Sequence, residues 1–192
     1  DTAFGELILV DCGRITVSSP SPSEADVGIE IAFSSDITID NADIRWVRYS
    51  IYAYSSDKIT ISGGYIEGGE KAIYMVGSEA SIDGVLINSS SVGIVAEDNS
   101  ILTISDIEIV NSGSAIQGTA STITIEDSTI TSDTYGIKVI AGSDLTIDRL
   151  TITDIDFEAV HAVGSDVVVM RTNIQHSSTG IKIESSTLGV YE

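Results

Sequence analysis

Positive charge is what this sequence has least of. Nine lysines and arginines stand against twenty-nine aspartates and glutamates, for a formal charge of −20. A chain so acidic repels phosphate backbones and anionic lipid surfaces, so nucleic acid is excluded as a partner. Cysteine is down to Cys12 alone. One thiol forms no internal disulfide, thiolate metal site or redox pair, and Cys12 is read as a small inert side chain near a turn, with an interchain disulfide as the alternative. Proline occurs only at Pro20 and Pro22. No run approaches the roughly 18 consecutive apolar residues of a membrane-spanning helix, and no membrane insertion is expected. The chain opens at Asp1 with neither an initiator methionine nor a charged-then-apolar leader. The reading is that a secretion signal was removed or lies outside this sequence.

What is present is a repeat. Small residues at Gly28, Ser50, Ala72, Gly93, Ala115, Gly136, Ala159 and Gly180 each precede an aliphatic residue, at spacings of 22, 22, 21, 22, 21, 23 and 21. A second apolar-x-apolar strand follows each marker, beginning at Ile37, Ile59, Leu102, Ile123, Leu145 and Val167, with Ala80-Ser81-Ile82 at the corresponding place. A third is marked by Ile44, Ile66, Ile87, Ile109, Ile130, Ile152 and Ile174. Apolar residues alternate over short runs, β-branched residues abound and glycine recurs, which argues strand and not helix. A three-strand coil buries its apolar face only when the next coil stacks about 4.8 Å away and pairs every strand in register. The expectation is all-β: one parallel β-helix over residues 1–192, of about eight coils of 21–23 residues with three short strands each. A loop insertion is expected at about 18–27, where both prolines lie. Handedness is read as right-handed from the preference of parallel crossovers.

The period, with GI-x-I followed by ITI, resembles the pectate-lyase-like right-handed parallel β-helices, over about Gly5 to the end. That resemblance implies architecture more than activity, since the superfamily holds polysaccharide lyases, hydrolases, tailspikes, adhesins and surface proteins. It would place a groove on the first-strand face, with carboxylates holding calcium and an arginine as base. The outward positions there are Glu30, Tyr52, Tyr74, Val95, Gln117, Lys138, His161 and Lys182, with no arginine and one carboxylate. The aspartate clusters and basic motif of polygalacturonases are not recognisable either, so no catalytic residue is assigned.

The same column supplies the ligand-binding candidates: Tyr52 and Tyr74 as a stacking platform for sugars, with Tyr49, Tyr54 and Trp46 close in sequence, and Lys138, His161 and Lys182 as a rank suited to a uronate, sulfate or phosphate. Tyrosines that merely favour exposed strands and lysines that offset nearby acids are the plainer explanation. Two carboxylate pairs, Glu126 with Asp148 and Asp144 with Asp166, fall on neighbouring coils about 5 Å apart and are the candidates for Ca2+ or for paired-acid chemistry, against a solvated acidic face. Thr38, Thr60, Thr103, Thr124 and Thr146, with Ser81, form one outward hydroxyl rank, too narrow for the flat face of an ice binder. Asn88 begins an Asn-Ser-Ser sequon that would accept a glycan in a secreted protein.

Both ends read as open, uncapped coils. Ile8, Val10 and Ile15 fit the second and third strands of an incomplete first coil; Ile181, Ile183, Leu188 and Val190 fit the first and second strands of an incomplete last one. An exposed parallel edge is a template for another chain. The leading expectation is therefore an extracellular or cell-surface structural protein that joins itself head-to-tail into a filament or sheath. A fragment of a longer β-helix, and a carbohydrate-contacting β-helix, are the alternatives.

Overall fold

The computed structural model describes residues 16–18 and 27–192, with backbone only at 16–18, 132 and 133. The described residues form strands and turns with no helix. Numbered in chain order, the first strands of successive coils are β2 (Val27–Ala32), β5 (Tyr49–Tyr54), β8 (Lys71–Val76) and β11 (Val92–Glu97). The second strands are β3 (Ser35–Asp40), β6 (Asp57–Ser62), β9 (Glu79–Asp83), β12 (Ile101–Ser105), β14 (Thr122–Glu126), β16 (Asp144–Asp148), β18 (Asp166–Met170) and β20 (Thr187–Tyr191). They build one eight-stranded sheet. The third strands are β1 (Thr16–Ser18), β4 (Asp43–Arg45), β7 (Tyr65–Glu67) and β10 (Leu86–Asn88). Pairing is parallel throughout, each strand beside its counterpart one coil on.

Three short strands per coil hold for the early coils only. From Glu108 onward the third strand runs round the corner into the next first strand, giving β13 (Glu108–Thr119), β15 (Thr129–Ile140), β17 (Thr151–Val163) and β19 (Asn173–Glu184). Register shifts mark the bends, as between Val110, Ser112 and Ser114. The corner is then a bulged strand that keeps a positive φ at Asn111, Asp154 and His176, and coil-to-coil hydrogen bonds continue across it, as from the Gly113 N–H to the Ser90 carbonyl (3.1 Å).

The columns of the repeat form the core. Ile44, Ile66, Ile87, Ile109, Ile130 and Ile152 align in register and are all buried. Ile39, Ile61, Ile82, Ile104, Ile125 and Ile147 do the same on the second-strand side. Each fully buried aliphatic contributes about 1.5–3 kcal/mol, so burial along these columns is the dominant stabilising term. The small marker has a steric cause: a Cβ at Gly28 would lie 2.7 Å from the carbonyl oxygen of Ser50, and one at Gly93 2.6 Å from that of Ala115.

A second ladder runs inside the turn between first and second strands. Ser34, Ser56, Ser78, Ser100, Ser121, Ser143, Ser165 and Ser186 recur with the period of the coil. The Ser56 N–H donates to Ser78 Oγ (3.2 Å) and that of Ser78 to Ser100 Oγ (3.2 Å). Ser121, Ser143 and Ser165 repeat the arrangement further on. Each hydroxyl also donates to a carbonyl two or three residues back, as Ser78 does to Val76 (3.0 Å). Turn amides that the sheet leaves unpaired are thereby satisfied without water.

Expectations for the beginning of the chain fall outside the described residues: Ile8, Val10, Cys12, Ile15, both prolines and residues 19–26 of the expected loop insertion. One correction concerns Ile15. The register of β1 sets Val17 beside Ile44, so Val17 occupies the third-strand position that the repeat offsets assigned to Ile15. The insertion before β2 interrupts the period; a slip of two residues keeps the same face inward and leaves the alternation unchanged.

Candidate functional site

First-strand side chains that point outward form three parallel rows. Val27, Tyr49, Lys71, Val92, Ser114 and Tyr135 make the first; Glu30, Tyr52, Tyr74, Val95, Gln117, Lys138, His161 and Lys182 the second; Ala32, Tyr54, Val76 and Glu97 begin the third. Along a strand the first and second rows are three residues apart and the second and third two, and neighbours within a row are one coil apart, so aromatic residues at neighbouring places must meet.

They meet in the second and third coils. Tyr52 and Tyr74 are stacked, centroids 5.1 Å apart and planes 19° apart. Tyr49 lies 5.9 Å from Tyr74, and Tyr54 5.4 Å from Tyr52. Phe33 extends the cluster edge-on to Tyr54 at 5.2 Å and is 78% exposed. The sequence expectation had Trp46 nearby; instead it sits at another corner, its ring against Gly68, and joins no ring contact among the described residues. Phe33 was missed because it follows β2 at positive φ, where alternation no longer tells direction.

The Tyr74 hydroxyl donates to Glu97 Oε2 at 2.7 Å. Desolvation, reinforced by that bond, holds the Tyr74 phenol far above its ordinary range, and desolvation raises Tyr52 as well. Both rings therefore stay neutral. The Lys71 ammonium lies 3.4 Å from the Tyr74 centroid and 5.7 Å from that of Tyr49. Arg48 covers Tyr49 at 5.0 Å while pairing with Glu70 at 2.8 Å.

The rank Lys138, His161 and Lys182 is assembled in register as expected, but much of its charge is spent. Lys182 is bound to Glu184 (2.9 Å) and Glu158 (3.5 Å). Glu184 raises the lysine, and the lysine lowers Glu184. His161 Nε2 is 3.8 Å from Glu184, too far for a hydrogen bond, and buried without a partner. Val95 is on the outward row yet only 2% exposed. Beyond it, Tyr135 stacks on exposed Phe157 at 5.5 Å. The 23-residue spacing falls here: Val160 lies eight positions after Ile152 in β17 where Ile137 lies seven after Ile130 in β15, and the extra residue is accommodated beside Phe157.

The carboxylate pairs are adjacent as expected, Glu126 beside Asp148 and Asp144 beside Asp166. Glu126 and Asp148, however, face arginines. Asp148 is buried, its side chain 6% exposed, and accepts hydrogen bonds from both Arg149 and Arg171. Arg149 also reaches Asp127 (2.6 Å) and Glu126 (3.3 Å); that first bond lowers Asp127 and raises Arg149. Asp166 accepts from Thr187 at 2.5 Å. No group of three or more carboxylates, histidines or cysteines among the described residues is placed to hold a metal. Asn88 is likewise engaged: its amide donates to the Tyr65 hydroxyl and its carbonyl accepts from Asn111, both at 3.1 Å. In the last coil, Ile181 and Ile183 pack against the core while Leu188 and Val190 are exposed.

A family model for the right handed beta helix region matches residues 27–166. No curated protein and no solved structure matches the chain.

Proposed function

We propose that this chain, which belongs to the right-handed β-helix family, is a glycan-contacting domain of an extracellular or cell-surface protein that holds sugar rings without cleaving them. The observation that carries this reading is the stack of Tyr52 on Tyr74, flanked by Tyr49, Tyr54 and Phe33. Flat rings with apolar faces and polar tips, fixed on a rigid sheet, suit a ligand that is apolar on one face and hydroxylated at its rim. Ordering costs little here, because β-strand pairing already holds the backbone under each ring. A groove with convergent acid and base is not needed for this role.

The test is calorimetric titration with a broad panel of oligosaccharides. Binding that falls at least about tenfold in a Tyr52→Ala, Tyr74→Ala double variant of unchanged circular dichroism supports the reading. Absence of binding across the panel refutes it, and shortened oligosaccharides after incubation would refute the non-cleaving part.

A second reading, head-to-tail association into a filament or sheath, is favoured by the last coil. Leu188, Val190 and Tyr191 are exposed there, and among the described residues β20 pairs only with β18. A further rung would cover this edge, whichever chain supplies it. Sedimentation velocity across a concentration series separates a self-associating chain from one that stays monomeric.

A further inference from the structure

We propose that Lys71 is the specificity-determining residue of the tyrosine platform, selecting glycans that carry an anionic substituent, carboxylate or sulfate, over neutral ones. The inference rests on the glycan-contacting reading above and adds what that platform discriminates.

Its basis is charge compensation. Among the described residues Arg45, Arg48, Lys58, Arg149, Arg171 and Lys182 each form an ion pair with an aspartate or glutamate. Lys71 and Lys138 form none among the described residues, in a chain whose acids outnumber its bases by twenty-nine to nine. Register explains why. Pairs such as Arg48–Glu70 and Lys58–Asp36 join residues one coil apart, whereas the coil neighbours of Lys71 are Tyr49 and Val92 and those of Lys138 are Gln117 and His161. Both uncompensated cations therefore stand on the first-strand face, and Lys71 stands inside the aromatic cluster.

Position gives Lys71 its second effect. With Tyr52 stacked on Tyr74 and the Lys71 ammonium 3.4 Å from the Tyr74 centroid, a ring that is to stack on Tyr74 competes with one of them. A neutral sugar must displace the ammonium and forfeit a cation–π contact. A sugar with a carboxylate or sulfate at its rim draws the ammonium outward to itself, so Tyr74 is uncovered and the cation is compensated in one event. Lys71 thus opposes one class of ligand and attracts the other, which is how a single residue produces discrimination.

The experiment titrates wild type, Lys71→Met, Lys71→Arg and Lys138→Met with three oligosaccharides of equal length: a neutral glucan, an oligouronate and a sulfated glycan. Wild type is expected to prefer one or both acidic ligands, and the two acidic arms tell carboxylate from sulfate. In Lys71→Met the neutral ligand binds about three- to tenfold more tightly and the acidic one about tenfold more weakly; Lys71→Arg keeps the acidic preference. Lys138→Met removes the same charge without uncovering Tyr74, so it does not reproduce the tighter neutral binding of Lys71→Met. Rising salt weakens acidic binding in wild type more than in Lys71→Met. Wild-type binding with an acid-to-neutral ratio that Lys71→Met does not move overturns this inference and leaves the platform standing. Failure of wild type to bind any of the three overturns the platform, and this inference with it.

Discussion

Asp148 offers the sharpest test of what holds the later coils together. Its carboxylate is 6% exposed at the end of β16, and the two guanidinia that bind it come from its own corner and from the next coil. The arginines are 37% and 54% exposed, so either one alone is a half-solvated cation of modest worth. Replacing Arg171 by methionine leaves Arg149 in place, and the reverse holds for Arg149, so each single variant should lower the midpoint only slightly. Replacing both leaves a buried carboxylate with no cation. The penalty for that is roughly 3–5 kcal/mol, and access of water at this corner puts the value near the lower end. The double variant should therefore lose about 3 kcal/mol, more than the sum of the singles. Adding Asp148→Asn to it should return at least half of the loss, because the charge and not the shape is at fault. Urea denaturation followed by far-ultraviolet circular dichroism measures all four, read as midpoints at constant slope. Strictly additive singles, or a triple variant no more stable than the double, would refute the picture of Asp148 as a charge held by a two-arginine clamp.

Two further outcomes follow from hydroxyl groups inside and outside the coils. Ser143 Oγ donates to the Ile140 carbonyl (2.8 Å) and accepts the Ser121 N–H (3.2 Å), so Ser143→Ala leaves a buried amide unpaired at a cost of about 1–3 kcal/mol. At about 2–4 °C per kcal/mol for a chain of this size, its thermal midpoint should fall clearly below that of Ser186→Ala, whose site is open to water; equal midpoints would deny the ladder a structural role. The raised Tyr74 and Tyr52 phenols stabilise the fold fully below the unfolded phenol value near pH 10, and that contribution is lost as pH rises through their higher folded values. Tyrosinate absorbance should show these two phenols titrating above the ordinary tyrosine range, and Tyr74→Phe should remove a late step. A titration of the folded chain without a late step, or with a late step that Tyr74→Phe leaves unchanged, would contradict the burial argument.

Most of the architecture was legible because a solenoid writes each contact twice: once as a residue and again one period later. The markers from Gly28 to Gly180 and the isoleucine columns gave rung number and facing, and the register agrees from Val27 onward. Legibility failed where the period breaks. The insertion before β2 hid the step from Ile15 to Val17, and nothing in residues such as Ser112 or Gly113 announces that a turn becomes the bulged strand β13. The serine ladder is visible as a recurrence with the period of the coil, but a serine in a turn does not announce which amide its hydroxyl will accept from. For the site, stacking of Tyr52 on Tyr74 could be foreseen from register, whereas the arginines on Asp148 and Glu126 and the edge contact of Phe33 depend on side-chain reach around corners, which alternation does not encode.

Register also explains how so acidic a body stacks at all. Neighbours in a parallel coil are one period apart, so any charge is repeated against its own column unless the sequence alternates it. The chain does this with Ser62 between Asp40 and Asp83, its hydroxyl donating to Asp40 at 3.0 Å, and with Ser105 donating to Asp83 at 2.7 Å. Elsewhere it sets a cation one coil from an acid, as with Arg48 and Glu70 or Arg149 and Asp127. Although Arg171 finds Asp148 one position off its own column and Lys182 finds Glu184 on its own strand, a step of one period reaches an ion-paired acid for Arg45, Arg48, Lys58 and Arg149. It reaches tyrosine and valine for Lys71, glutamine and histidine for Lys138. Ion pairing therefore accounts for the first group and not for the second, and that unpaired charge falls on the one face that also carries the aromatic cluster.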